Sequence, residues 1–392
     1  MLDIWPALPL IIRDEYHSTT HVDNIVAALK CTDRVCHIGL CILDFLYREA
    51  FLAAMQQPFP KLTYMRLMTV YGTKRVVAQL PDSLLGGFAP RLEHLRLDGV
   101  PFPGLPKLLL STTHLVRLYL FSIPHSGYFS PDAMVAALST LTSLENLLLM
   151  FESPESCPDL ETRRLPPLTC SALPVLKSFE FRGVFEYLED LLTDIDAPQL
   201  NKLEIHFFND SAFDTPQLIR FISRTSMSST LENAHIALSK RIARVSFRPL
   251  IHGHVELEVL IFCEALDWQL SSLEQVCTSC LPFLPTLGDL YINEGRSSEP
   301  DWKDDIGTGP WLELLRPFTA TKNLYLSEKI ALRIGPALQE FVESRATEFL
   351  PALQNIFVEG LKSSGLVQES IGHFVAARQV VGQRIAISRG LI

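Results

Sequence analysis

No run in this sequence approaches the roughly 18 uncharged apolar residues that a membrane-spanning helix requires. The opening MLDIWPALPLIIRDEYH interrupts its apolar character with Asp3 and two prolines. Neither a membrane span nor a standard signal peptide fits, so the expected location is intracellular, cytoplasmic or nuclear. Positive charge is also in deficit: 34 Lys and Arg face 44 Asp and Glu, a formal charge of -10. General attraction to a phosphate backbone, and with it a nucleic-acid partner, is therefore not expected. Cysteine is sparse, with eight in 392 residues, and most sit inside apolar segments. They read as small buried thiols and exclude a disulfide scaffold. The sequon at Asn209 would need a secretory route of which the sequence carries no sign. What the chain does have is apolar residues, 47% of the total against 20% charged, which excludes a disordered polyelectrolyte and points to a folded chain with a sizeable core.

Those apolar residues recur in one phrase: a leucine-like residue, two variable positions, an apolar residue, one variable position and another apolar residue. It occurs as LTYMRL from Leu62, LEHLRL from Leu92, LVRLYL from Leu115, LENLLL from Leu144, LKSFEF from Leu176 and LNKLEI from Leu200. It continues as LEVLIF from Leu257, LGDLYI from Leu287, TKNLYL from Thr321 and LQNIFV from Leu353. The starts lie 30, 23, 29, 32, 24, 57, 30, 34 and 32 residues apart. The doubled gap predicts a degenerate copy at LENAHI from Leu231, for about eleven units. Within each phrase the last two apolar positions alternate as in a short strand, so Arg66, Arg96, Tyr119, Glu180 and Glu204 face away from the leucine row. Proline phrases such as PFPKL from Pro58 and LPTL from Leu284 stop the preceding segment before the strand begins.

Helix-compatible stretches fill the intervals. In SPDAMVAALSTL, Ser130 is placed to cap, Pro131 suits the first turn, and Met134, Val135, Leu138 and Leu141 supply an apolar stripe. One strand and one helix cannot bury both faces alone, whereas stacked copies build a continuous core. The expected fold class is thus α/β, a leucine-rich-repeat solenoid with parallel short strands on one face, helices on the other and irregular long repeats. Its usual asparagine after the last core leucine is largely missing, since the corresponding stretches read LDGV, LFSI, LMFE, FRGV and INEG. Residues 1–23 read as a lead-in or linker remnant, 24–361 as the repeat domain and 362–392 as a C-terminal cap.

Whole phrases, among them PFPKLTYMRL, PDSLLGGFAPRLEHLRLDG, LTSLENLLL, YLEDLLTDIDAPQLNKLEI and LDWQLSSLEQVC, resemble in order the F-box and leucine-rich-repeat family of mushroom-forming fungi. The resemblance covers roughly Trp5 to Ile392. It implies a noncatalytic protein-binding repeat domain, similar to the substrate-recognition part of an F-box ubiquitin-ligase receptor, with an unknown protein target. The sequence begins at the stretch that in the family follows the F-box, so the adaptor subunit of a cullin-based ligase is implied as partner only where an upstream F-box exists. The alternative is an F-box-less interaction scaffold with no ligase role, and a more remote one is a hydrolase or metalloenzyme.

Chemistry-bearing motifs are few. His252, His254 and Glu256 form HGHVE with Cys263 nearby, but no convergent further ligand is marked by spacing, so they read as loop or strand-edge residues. Cys277 and Cys280 form CTSC behind an apolar helix, without the second CxxC of a zinc site. No GxSxG, HExxH, Walker A or GxGxxG pattern occurs, and the neighbours His125 and Ser126 have no third group implied. The expectation is no catalytic, cofactor or metal residue. Outward strand positions are the candidate protein-binding surface: Arg66, Arg96, Arg117 and Tyr119 in the first half, Tyr291, Asn323 and Tyr325 in the second. The insertions at 151–170 and 293–310, rich in Pro, Ser and acidic residues, read as partner-binding segments or simply as mobile loops.

Overall fold

Alternating apolar residues become strands at every one of the leucine phrases, and the chain between them returns mostly through helices. The structure, a computed structural model, describes residues 8–14, 22–42, 48–69, 79–157, 171–208, 215–227, 231–249, 256–263, 265–281, 283–295, 307–344, 349–360 and 366–390. It divides into two units, Met1–Leu200 and Asn201–Ile392.

The first unit contains β1 (Leu10–Asp14), α1 (Val22–Leu29), β2 (Val35–Ile42), α2 (Arg48–Ala54), β3 (Tyr64–Thr69) and β4 (His94–Asp98). It continues through α3 (Leu105–Leu109), β5 (Arg117–Ile123), α4 (Pro131–Leu138), β6 (Asn146–Phe151), β7 (Ser171–Ala172), β8 (Ser178–Gly183), α5 (Phe185–Thr193) and β9 (Ile195–Asp196). β1, β2, β3, β4, β5, β6 and β8 pair in that order, all parallel, and β7 pairs with β9 apart from them. Inward positions such as Met65, Leu67, Leu95, Leu118 and Leu149 are buried, and each fully buried leucine of this kind contributes about 1.5–3 kcal/mol over leaving it in water. α4 starts as its sequence predicts: the Ser130 side chain accepts a hydrogen bond from the Ala133 amide at 3.3 Å, with Pro131 in the first turn.

The second unit contains β10 (Lys202–Phe207), α6 (Pro216–Arg224), β11 (Asn233–Leu238), β12 (Ile242–Arg248), β13 (Glu256–Phe262) and α7 (Leu266–Cys280). β14 (Asp289–Glu294), α8 (Thr308–Leu315), β15 (Asn323–Leu326), α9 (Glu328–Ser344), β16 (Asn355–Glu359), α10 (Leu366–Val380) and β17 (Ala386–Gly390) follow. Its strand order is β10, β13, β12, β11, β14, β15, β16, β17. β12 runs antiparallel to both neighbours, β11 and β13, whereas β10 with β13 and β11 with β14 are parallel.

This topology corrects the expected fold class. A leucine-rich-repeat solenoid adds each strand parallel to the last and in chain order. Here the order is reversed over β13, β12 and β11, and β12 opposes its neighbours, so the architecture is a mixed α/β fold built on a mixed sheet. The identification with the F-box and leucine-rich-repeat family falls with it. So do the roles it implied: a protein-binding repeat domain like a ubiquitin-ligase receptor's substrate-recognition part, and the interaction scaffold of the same design. The physical cause lies in residues 242–248. Ala243, Val245 and Phe247 are buried while Arg244, Ser246 and Arg248 alternate with them, so IARVSFR satisfies a strand without any leucine phrase. A turn at Ser239–Arg241, closed by the Ser239 amide donating to the Ile242 carbonyl at 2.9 Å, folds this strand back on β11.

The hairpin is anchored from below. α7 packs on β12 and β13, and its buried Gln269 donates through Nε2 to the carbonyls of Ser239 at 2.9 Å and Cys263 at 2.7 Å. Phe247 meets Phe283 edge to face at 5.1 Å between centroids. The inward face is therefore fixed, which leaves the outward residues of β11 and β12 held in position for the site. Among the described residues no helix is long and apolar enough to cross a membrane.

Candidate functional site

Parallel pairing in register stacks outward side chains of the second unit into rows. His235 of β11 lies opposite Tyr291 of β14, Tyr291 opposite Tyr325 of β15, and Tyr325 opposite Phe357 of β16. Their rings form a ladder: 4.3 Å and 5° between His235 and Tyr291, 4.1 Å and 6° to Tyr325, 4.6 Å and 11° to Phe357. Such near-parallel pairs add stabilisation beyond the area they bury. A polar row runs beside them, in which the Asn323 amide donates to Asp289 Oδ1 at 2.6 Å and the Asn355 amide donates to Asn323 Oδ1 at 2.8 Å.

Where the ladder meets the reversed strand, the face opens into a concavity of about 640 Å³. β11 and its turn contribute His235, Ala237 and Ser239, and β12 contributes Ile242, Arg244, Ser246 and Arg248. Tyr291, Asn293, Glu294, Gly295, Ser327 and Glu359 complete the described lining. A side chain at position 295 would place its Cβ 3.1 Å from Ser239 Cβ, so glycine keeps this wall close to the hairpin turn.

The electrostatics divide the lining in two. Arg244 Nε lies 2.8 Å from Glu258 Oε1 and Arg248 Nη2 lies 3.2 Å from Glu256 Oε1, so both lining cations already face carboxylates. Burial pushes Glu258 above the usual carboxylate value, with Arg244 pulling against it. Burial first, and Arg248 second, push His235 down to about 4, leaving its ring neutral near pH 7. Burial, and then Tyr325, raise Tyr291 to about 12. Beyond the concavity, Glu204 is brought down to about 2, first by its hydrogen bond with His206 and then, against its own burial, by Lys202. Glu294 Oε1 and Ser327 Oγ are buried and have no hydrogen-bond partner among the described residues.

The structure brings together the three sequence candidates of the second half: Tyr291 and Tyr325 in the ring ladder and Asn323 in the polar row beside it. In the first unit, Arg66, Arg96 and Tyr119 share one row across β3, β4 and β5, while Arg117 belongs to the adjacent row opposite His94. The Arg96 guanidinium sits 4.3 Å from the centre of the Phe121 ring and 3.5 Å from Asp98. Sequence reasoning missed His235, Arg244, Ser246, Arg248, Glu294 and Ser327. The alternation in RVSFR is the signal that could have found three of them.

The other motifs fare differently. His252 and His254 lie outside the described residues, as do the Cys280 side chain, the sequon at Asn209 and residues 158–170 and 296–306 of the two insertions. Glu256 pairs with Arg248. Cys263 and Cys277 are buried, and His125 Nδ1 is 2.8 Å from the Glu155 carbonyl. No three His, Cys, Asp or Glu side chains converge as metal ligands among the described residues. No protein-family profile matches the sequence, and no curated protein is significantly similar to it. These results give the F-box resemblance no support.

Proposed function

We propose that this protein is a noncatalytic binding protein for a small organic molecule carrying a flat ring, held on the outward sheet face of the second unit. The observation that carries this reading is the concavity of about 640 Å³ with the ring ladder in its wall. Its size lies within the roughly 300–1,000 Å³ of small-molecule sites, and an edge of stacked rings offers an apolar flank with polar groups at its margins.

The arrangement argues for binding over catalysis. Ser246 lies opposite His235 on one side and opposite Glu258 on the other. The carboxylate therefore flanks the serine, whereas a nucleophilic triad needs it on the far side of the histidine. A histidine brought down to about 4 is also a weak general base near pH 7. An intracellular location, cytoplasmic or nuclear, goes with this reading.

The test uses Ala237, which sits in the floor opposite Arg244 and Asn293. Its outward side chain points away from the buried Ala234, Ile236 and Leu238. A panel of monocyclic and bicyclic ring compounds, followed by tyrosine fluorescence and by the unfolding midpoint, should yield saturable binders. Ala237→Phe fills the floor and should weaken them at least tenfold while the midpoint without ligand stays near that of the parent. Absence of any saturable binder, or undiminished binding to A237F, overturns the reading.

A further inference from the structure

We infer that the ligand of this concavity is an organic ammonium, a ring-bearing amine whose cationic head is received by Glu294 and Ser327. This rests on the proposed small-molecule site and specifies its chemistry. The lining contains two cations, Arg244 and Arg248, and both are engaged by carboxylates at 2.8 and 3.2 Å. It contains two carboxylates, Glu294 and Glu359, that form no ion pair among the described residues. The charge left uncompensated in the site is therefore negative.

A second observation, independent of charge, points the same way. Ser327 is only 4% exposed, lines the concavity, and leaves its Oγ without a hydrogen-bond partner among the described residues. Glu294 Oε1, in the same lining, is buried and has no partner among the described residues. The two residues belong to neighbouring strand ends, tied where the Ser327 amide donates to the Ile292 carbonyl at 3.1 Å. Buried acceptors without donors are uncommon, because folding removes their water without replacing it. An ammonium supplies three donors and no acceptor, which matches a carboxylate oxygen and a hydroxyl oxygen that line one concavity. A carboxylate or phosphate ligand would instead meet Glu294 head on, and at Arg244 or Arg248 it would compete with Glu258 or Glu256. The ring of the ligand lies along the edge of the ladder, where Tyr291 and His235 line the site.

The experiment compares three probes of nearly equal shape on the full chain by calorimetric titration: 2-phenylethylamine, 2-phenylethanol and phenylacetate. The amine should bind at least tenfold more tightly than the alcohol, and phenylacetate most weakly. Glu294→Gln should bring the amine down to the affinity of the alcohol while leaving the alcohol unchanged, which also shows that the variant is folded. Should E294Q fail to fold, Ser327→Ala is expected to cut the preference for the amine about threefold. Equal affinity for amine and alcohol, a preference for phenylacetate, or a preference that survives both substitutions overturns the ammonium assignment and leaves the ring-binding site standing. Failure of all three probes together with the wider ring panel removes both.

Discussion

Across the first unit, parallel strands follow one another in chain order and an outward row gains one residue from each successive phrase, as Arg66, Arg96 and Tyr119 do. Across the second, one strand runs the other way, and Arg248, only fifteen positions after Asn233, lies directly opposite it. The difference in consequence is large. The face of the second unit carries the concavity of about 640 Å³, and β12 alone supplies Ile242, Arg244, Ser246 and Arg248 to its lining. Repetition alone produces rows, whereas a reversed strand sets arginines, a serine and a histidine against one another without help from any repeat. If β12 is what separates the units, damage to it should cost the second unit its site, and matched damage in the first should not.

The largest effect is expected from Phe247→Ala. The ring is fully buried on β12 and meets Phe283 edge to face, so its removal should cost about 3–5 kcal/mol. Denaturant unfolding gives the loss, and faster amide exchange in β11 and β13 should accompany it, together with weakened ring-compound binding. Leu97→Ala in the first unit removes an equally inward residue of β4 and should cost about 2–5 kcal/mol with binding unchanged. Equal losses of binding in the two variants would dissolve the comparison.

Next in size is the ring ladder. Tyr291 stacks on both sides, at 4.3 and 4.1 Å, so Tyr291→Leu forfeits two aromatic pairs and should destabilise by about 1–3 kcal/mol. Tyr119 of the first unit occupies a comparable outward position but among the described residues has one tilted ring neighbour, Phe121 at 6.3 Å. Tyr119→Leu should therefore cost about 1 kcal/mol or less. Unfolding midpoints that fall equally would show that the ladder is ornament to the sheet and not a stabilising wall of the site.

How much of this was legible beforehand follows from the same contrast. Every leucine phrase became a strand, because alternating apolar residues in a sheet with one buried face admit little else. Even the degenerate LENAHI did so, as β11. Strand order was another matter: a phrase fixes which side chains point inward but carries no sign of direction or neighbour. Ile242–Arg248 has the alternation without the leucines, and so a search keyed to leucine passed over the one strand that reverses the sheet. Tyr291 and Tyr325 were legible as outward residues. That they touch depends on parallel register between residues 34 positions apart in the chain. Glu294 and Ser327 had no signal at all, since what marks them is missing hydrogen bonds at adjacent strand ends.

The smallest effect is one of pH, and it separates the two units through one histidine in each. Folding holds His235 down to about 4 against an ordinary value of 6.5, by burial and then by Arg248. Between those values the unfolded chain binds the proton that the folded chain refuses. The stabilisation is therefore fully present above about 6.5 and is lost as the pH falls toward 4. His235→Phe keeps a ring in the ladder and removes the proton site, so the midpoint of denaturant unfolding should fall less between pH 7 and pH 4 than in the parent. Glu204, lowered to about 2 against an ordinary 4.5, acts in a window below this one. It is also unchanged by the substitution, so it cancels in the difference. His94 of the first unit is lowered too, by burial and then by Arg117, with Glu93 opposing. His94→Phe should thus flatten the same acid slope by a smaller amount. A slope flattened more by H94F than by H235F would mean that the reversed strand, with Arg248 facing His235, does not impose the stronger field.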